Sequence, residues 1–89
     1  MEGASFMGAR LRDANLYAAD MKRARFIKAD LEGATLVEMN LFEGSLEKAN
    51  LRDADLSGSN MYGVEFFNAV LEGATLVGTN LRMTKLQKA

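Results

Sequence analysis

Oxygen-bearing side chains recur at a fixed interval in this chain. Asp20, Asn40, Asn60 and Asn80 stand twenty residues apart, and a column of carboxylate and amide oxygens is what a hard cation would need. The same four positions read more simply as a stacked amide ladder, each side chain hydrogen-bonding to the next. A second series at the same interval, Gly8, Lys28, Lys48, Asn68 and Lys88, has Arg25 and Lys85 nearby and is mildly basic. It could meet an acidic partner, but Glu47 and Glu65 interrupt it and a solvated face is expected. A third series, Lys22, Phe42, Tyr62 and Arg82, sets two aromatics between cations, the composition of a protein-binding patch. Ile27 and Phe67 belong to the neighbouring series Met7, Ile27, Glu47, Phe67 and Gln87 and extend the candidate patch. The alternative is that these aromatics only support one another from coil to coil. Asp53 and Asp55 form a carboxylate pair, yet no base, electrophile or pocket is implied around them, so no catalytic residue is assigned. The absence of histidine and cysteine removes the usual general base, thiolate ligands and disulfides. No metal and no cofactor is expected.

What must position these series is a period of five. Met1, Phe6, Leu11, Leu16, Met21, Phe26, Leu31, Leu36, Leu41, Leu46, Leu51, Leu56, Met61, Phe66, Leu71, Leu76, Leu81 and Leu86 occupy one phase of that period without exception. All twelve leucines of the chain fall in it, and twelve of the thirteen alanines, Ala4 through Ala89, fall two residues earlier; only Ala18 is out of phase. On an α-helix a step of five advances about 140° net, which scatters the leucines around the cylinder. On a continuous strand an odd period sends successive leucines to opposite faces. The remaining solution is a short extended piece with the small and the large residue both pointing inward, then a corner. Seven of the eight glycines stand two residues after the large residue, where a corner wants a permissive backbone.

A chain that turns every five residues coils, and the residue types give the number of sides. In the central phase Phe6, Phe26 and Phe66 are spaced by multiples of twenty, as are Met1, Met21 and Met61, while the other two columns are pure leucine. Twenty residues per coil makes four sides. A longer repeat overlies this one: residues 11–40 and 51–80 share sixteen identities in thirty, including LEGATLV in both.

The motif A(D/N)LXX, present as Ala14-Asn15-Leu16, Ala29-Asp30-Leu31, Ala49-Asn50-Leu51 and Ala54-Asp55-Leu56, resembles the pentapeptide repeat family across all 89 residues. The resemblance implies an all-β fold, a right-handed quadrilateral β-helix of about four and a half coils, and residues 1–89 read as one such domain. Departures lie at the small position, where Met39, Gly44, Ser59, Val64, Thr79 and Thr84 replace alanine, and at the residue before the leucine, where Arg10, Arg25, Glu65, Val70 and Lys85 replace Asp or Asn. All six departures at the small position fall on the two sides that carry the aromatic series, so if one half of the coil is diversified for recognition, it is this one. Coils stacked at roughly 4.8 Å make a rod on the order of 20 Å tall with two open ends. An end exposes unpaired backbone and core leucines, so the chain is expected to be a fragment of a longer array or to associate end to end.

The functional expectation is a non-catalytic structural module that presents its outer faces to a protein partner or self-associates through a coil end. Eleven Lys and Arg against twelve Asp and Glu give a net charge of −1, which supplies neither the basic field of a nucleic-acid binder nor strong acidity. Apolar runs of no more than four residues cross no membrane, and without a leader pattern the expected location is the cytoplasm. Two alternatives come from the resemblance. Some family members imitate duplex DNA, bind type II topoisomerases and protect them from quinolones; others carry the repeat as part of a larger secreted effector or assembly protein. An enzyme or ligand carrier would need a pocket that a filled four-sided core does not offer.

Overall fold

The computed structural model describes residues 2–86 and 88. Met1, Gln87 and Ala89, placed above by the five-residue phase, lie outside the described residues. From Ser5 to Lys85, thirteen parallel β-bridges link each residue before a large apolar one to its counterpart twenty positions on, as in Ser5 with Arg25 and Asn40 with Asn60. The backbone is a β-helical solenoid with twenty residues to the turn. Its ladder is sparser than the short strands expected: one bridging residue per side, because corners on either flank leave no room for a second.

Each corner is a β-turn closed by a hydrogen bond from the small residue's N–H to the large residue's carbonyl, as from Ala34 to Leu31 at 2.9 Å. The third residue of every such turn has positive φ while the second does not, the requirement of a type II turn. Eleven of these corners are not glycine and hold φ of 56–62°, a conformation disfavoured for side chains with a Cβ. Ala18, the misplaced alanine of the sequence, is one of them. Corner glycines matter where a neighbour folds over them: a Cβ at Gly33 would overlap the Asp13 carboxylate, and one at Gly73 the Asp53 carboxylate. That is why Asp and Gly alternate down this corner.

The large and small columns meet inside as a core. Met21, Phe26, Leu31, Leu36, Leu41, Leu46, Leu51, Leu56, Met61 and Phe66 are buried. Phe6, Leu11, Leu16, Leu71, Leu76 and Leu81 pack against them but are only half-buried, and Leu86 is 47% exposed. These residues lie in the first and last described coils. Phe6 and Phe26 stack with ring centroids 4.9 Å apart and 7° between planes, close to the rise of one coil.

The replacements at the small position face the core, the inward direction that the five-residue phase gives them. Met39, Gly44, Ser59 and Val64 are buried. Ser59 and Thr79 donate their hydroxyls to the Leu56 carbonyl at 2.7 Å, and Thr84 donates to Leu81 at 2.8 Å. Successive small positions carry a large and a small residue together, Met39 with Gly44 and then Ser59 with Val64, so the volume within each coil is balanced. A Cβ at Gly44 would sit 2.6 Å from the Ala24 carbonyl oxygen and 2.6 Å from Leu41 Cδ1. Gly44→Ala is therefore expected to cost about 1–2 kcal/mol in chemical denaturation, as overpacking does; a variant as stable as the parent would show that the coil relaxes freely there.

Candidate functional site

Stacking by twenties brings Phe42 and Tyr62 together on one outer side. Their rings lie face to face, centroids 5.3 Å apart and planes at 10°. Both are half-buried. The cation over the open face of Phe42 is Arg23, its guanidinium carbon 5.7 Å from the ring centroid. The sequence places Lys22 in this column, but Arg23, at the corner beside it, reaches the ring. Arg23 is held there by Glu2 at 2.6 Å and Glu43 at 3.5 Å. Lys22 and Arg23 line a shallow groove of about 320 Å³ with Glu2, Asn40, Phe42 and Asn60. Arg82 is exposed one coil beyond Tyr62 and is joined to this side by the Gly63 N–H bond to its carbonyl, 2.9 Å.

Ile27 and Phe67 sit on the adjacent side, two coils apart with Glu47 between them, and do not join the aromatic stack. Phe67 instead has the Lys88 ammonium 5.9 Å from its centroid. A second groove, about 310 Å³, opens at the edge between the two sides where Gly44 and Ser45 draw the surface inward; Arg23, Arg25, Glu43 and Glu65 complete it. The column Tyr17, Val37, Ser57 and Val77 was not a candidate, yet Tyr17 is 57% and Val77 74% exposed. Its one sequence signal is the absence of charge from all four positions.

The oxygen column is an amide ladder. Asn60 donates Nδ2–H to Asn40 Oδ1 at 3.3 Å, and Asn80 donates to Asn60 Oδ1 at 3.4 Å. Each Oδ1 also accepts the backbone N–H two residues on, from Phe42, Tyr62 and Arg82, at 3.1 Å. The ladder therefore fixes the backbone that carries the aromatic stack. Asp53 and Asp55 do not converge: Asp53 folds over Gly73, while Asp55 accepts the Ser57 hydroxyl and backbone N–H. Among the described residues no three acidic side chains gather as a metal site would require, and no helix is long and apolar enough to cross a membrane.

A third side carries Arg12, Glu32, Arg52 and Glu72 in alternation. Arg12 pairs with Asp30 at 2.5 Å and Arg52 with Glu72 at 3.5 Å. The Arg12 hydrogen bond holds the Asp30 carboxyl below its ordinary value of 3.8, and the Ser57 hydroxyl does the same for Asp55. Lowered folded values add stability above the unfolded value of 3.8 and lose it as pH falls through the folded values. The melting temperature is thus expected to hold from neutrality to about pH 5 and to drop below about pH 4. Asp30→Asn with Asp55→Asn should flatten that drop, and an unaltered acid limb in a melting series would contradict the assignment.

A family model described as pentapeptide repeats matches in overlapping stretches at residues 4–41, 36–73, 45–82 and 65–89. The chain belongs to the pentapeptide repeat family. Among solved pentapeptide repeat proteins, one from the Arabidopsis thaliana thylakoid lumen superposes with a TM-score of 0.93 at 34% identity, over 96% of this chain and 59% of that one. Rfr23 from the cyanobacterium Cyanothece 51142 gives 0.92 at 29% identity, over 96% and 58%. HetL, involved in heterocyst differentiation regulation in Nostoc, gives 0.86 at 31% identity, over 91% and 38%. This pentapeptide repeat chain thus spans less than two thirds of the length of each. No curated protein matches it in sequence.

Proposed function

We propose that residues 1–89 form one non-catalytic interaction module, a right-handed quadrilateral rod of about four and a half coils that presents its outer faces to a protein partner. The observation that carries this reading is the Phe42–Tyr62 stack, flanked by Arg23 and bordered by a groove with Lys22, Asn40 and Asn60. Rigid half-buried aromatics next to cations suit a partner segment that brings an apolar or aromatic side chain together with acidic groups. Ile27, Phe67 and Arg82 lie at the margins of that surface. The alternating Arg12–Glu32–Arg52–Glu72 side is a ladder of opposite charges, so imitation of duplex DNA gains no support from it.

Phe42→Ser with Tyr62→Ser tests the reading. Removing an outer stacked pair should cost about 1 kcal/mol of stability and leave the cooperative melt intact. Crosslinked recovery of the bound partner from cell extract should fall at least about tenfold, the loss expected for a buried aromatic anchor. Undiminished recovery would reduce these residues to supports for neighbouring coils.

A further inference from the structure

The side that carries Ile27 and Phe67 is complementary to itself when turned end over end. Down its middle, in successive coils, run Arg25, Ser45 and Glu65, and along its edge run Ile27, Glu47 and Phe67. Arg25 and Glu65 are exposed, Ser45 between them is buried, and Ile27 and Phe67 are half-buried. Gly44, whose missing Cβ lets the backbone close on the Ala24 carbonyl and Leu41, recesses Ser45 and opens the groove of about 310 Å³ between the two charges.

Arg25 and Glu65 stand two coils apart and form no ion pair among the described residues, whereas on the next side Arg12 and Arg52 are satisfied by Asp30, Glu32 and Glu72 of their own chain. The pattern does not depend on the outermost coils. Arg25 is bridged to Ser5 and to Ser45, and Glu65 to Ser45 and to Lys85, so each has a coil on either side.

We propose that two copies of this chain pack side to side through this surface, antiparallel, about a two-fold axis that passes Ser45 at right angles to the coil axis. In that register Arg25 of each copy meets Glu65 of the other, Ile27 meets Phe67, and the two recessed Ser45 positions face one another, so every contact away from the axis is made twice. A parallel pair sets Arg25 on Arg25 and Glu65 on Glu65, which like-charge repulsion forbids. An antiparallel pair displaced by one coil sets Arg25 on Ser45 and Ile27 on Glu47, and both matches are lost. Glu43 and Glu47 meet their own counterparts near the axis; Arg23 holds the first at 3.5 Å, and Lys48 adjoins the second. One side of a molecule 25 × 21 × 20 Å across covers roughly 500 Å² per copy, about 1,000 Å² in all, the lower bound of a specific contact. The pair is therefore concentration-dependent, not obligate. It goes beyond the reading of the aromatic side and uses neither Phe42 nor Tyr62.

Charge reversal at these exposed positions tests the register without touching the core. In sedimentation velocity the parent should rise from one copy to two with concentration and stop there. Arg25→Glu alone and Glu65→Arg alone should each self-associate at least about a hundredfold more weakly, since both reversed contacts become like-charged. Their equimolar mixture sets every reversed charge against an opposite one and should restore the species of twice the mass, as should the double variant Arg25→Glu, Glu65→Arg. Glu47→Gln should tighten the pair. The chain has no cysteine, so Ile27→Cys with Phe67→Cys gives a second readout. Two coils, roughly 10 Å, separate these positions within one chain, beyond disulfide reach, and mild oxidation should yield a covalent dimer that neither cysteine alone gives. A parent that stays single at every concentration, a mixture of reversed variants that stays single, or a mass that grows past two copies and ignores both reversals overturns the proposal. The Phe42→Ser, Tyr62→Ser chain should pair like the parent, so failure of the aromatic face leaves this result standing; loss of pairing in that variant would move the contact to the aromatic side and overturn the assignment.

Discussion

Leu56→Asp is expected to abolish the cooperative melting transition. Leu56 is fully buried in a pure leucine column, and the Leu56 carbonyl already takes the Ser59 and Thr79 hydroxyls. A carboxylate there would have coils above and below it and no cation within the core, so the cost combines lost apolar burial with a desolvated, unpaired charge. That places it at or beyond about 4–5 kcal/mol, the extreme of single substitutions, and a small solenoid has little more than that to lose. Leu36→Asp should behave alike. Leu76→Asp, one coil nearer the end and half-buried, should cost clearly less, since the new carboxylate can turn to water. Circular dichroism melts of the three variants decide the matter; a parent-like melt for Leu56→Asp would refute a filled central column.

Asn60→Ala carries the second large effect. Asn60 stands in the middle of the amide ladder: its Nδ2 donates to Asn40, and its Oδ1 accepts from both Asn80 and the Tyr62 backbone. Truncation removes all three bonds and leaves the Tyr62 N–H without its acceptor, for about 2–3 kcal/mol by the usual worth of such bonds. Asn80→Ala, at the exposed end of the ladder, loses one ladder bond and one backbone bond and should cost about half as much. Urea denaturation separates the two, and equal, near-zero effects would mean that water replaces the ladder without loss.

Much of this arrangement could be read from the residue order alone, because in a solenoid sequence distance becomes spatial distance by one fixed rule. Five-residue spacing put Phe26 and Leu36 inside, and twenty-residue spacing put Asn60 on Asn40 and Tyr62 on Phe42. The same rule foretold that Leu11 and Leu76, near the ends, would be less covered than Leu46. What escaped it are features set by side-chain direction and volume. Arg23 covers Phe42 because the corner carries its long side chain to the ring, a path that a column assignment of Lys22 does not encode. The exchange of bulk between Met39 and Gly44 depends on how much room each inward position has, which the phase locates but does not measure. The single bridge per side follows from how tightly two type II turns follow one another, which a period does not specify.

The bridge from each residue to its counterpart twenty positions on also restricts how such a gene can change length. Deleting one five-residue unit, residues 61–65 for instance, keeps every leucine in phase but rotates all later sides by a quarter turn, and Lys85 then falls beneath Asn60 in place of Asn80. Removing a whole coil, residues 41–60, instead delivers Asn80 to a place two rungs below Asp20 and Tyr62 to the old site of Phe42. Lineages that conserve the ladders are thus confined to insertions and deletions of complete coils, and the forty-residue offset between the two similar halves of this chain is two of them.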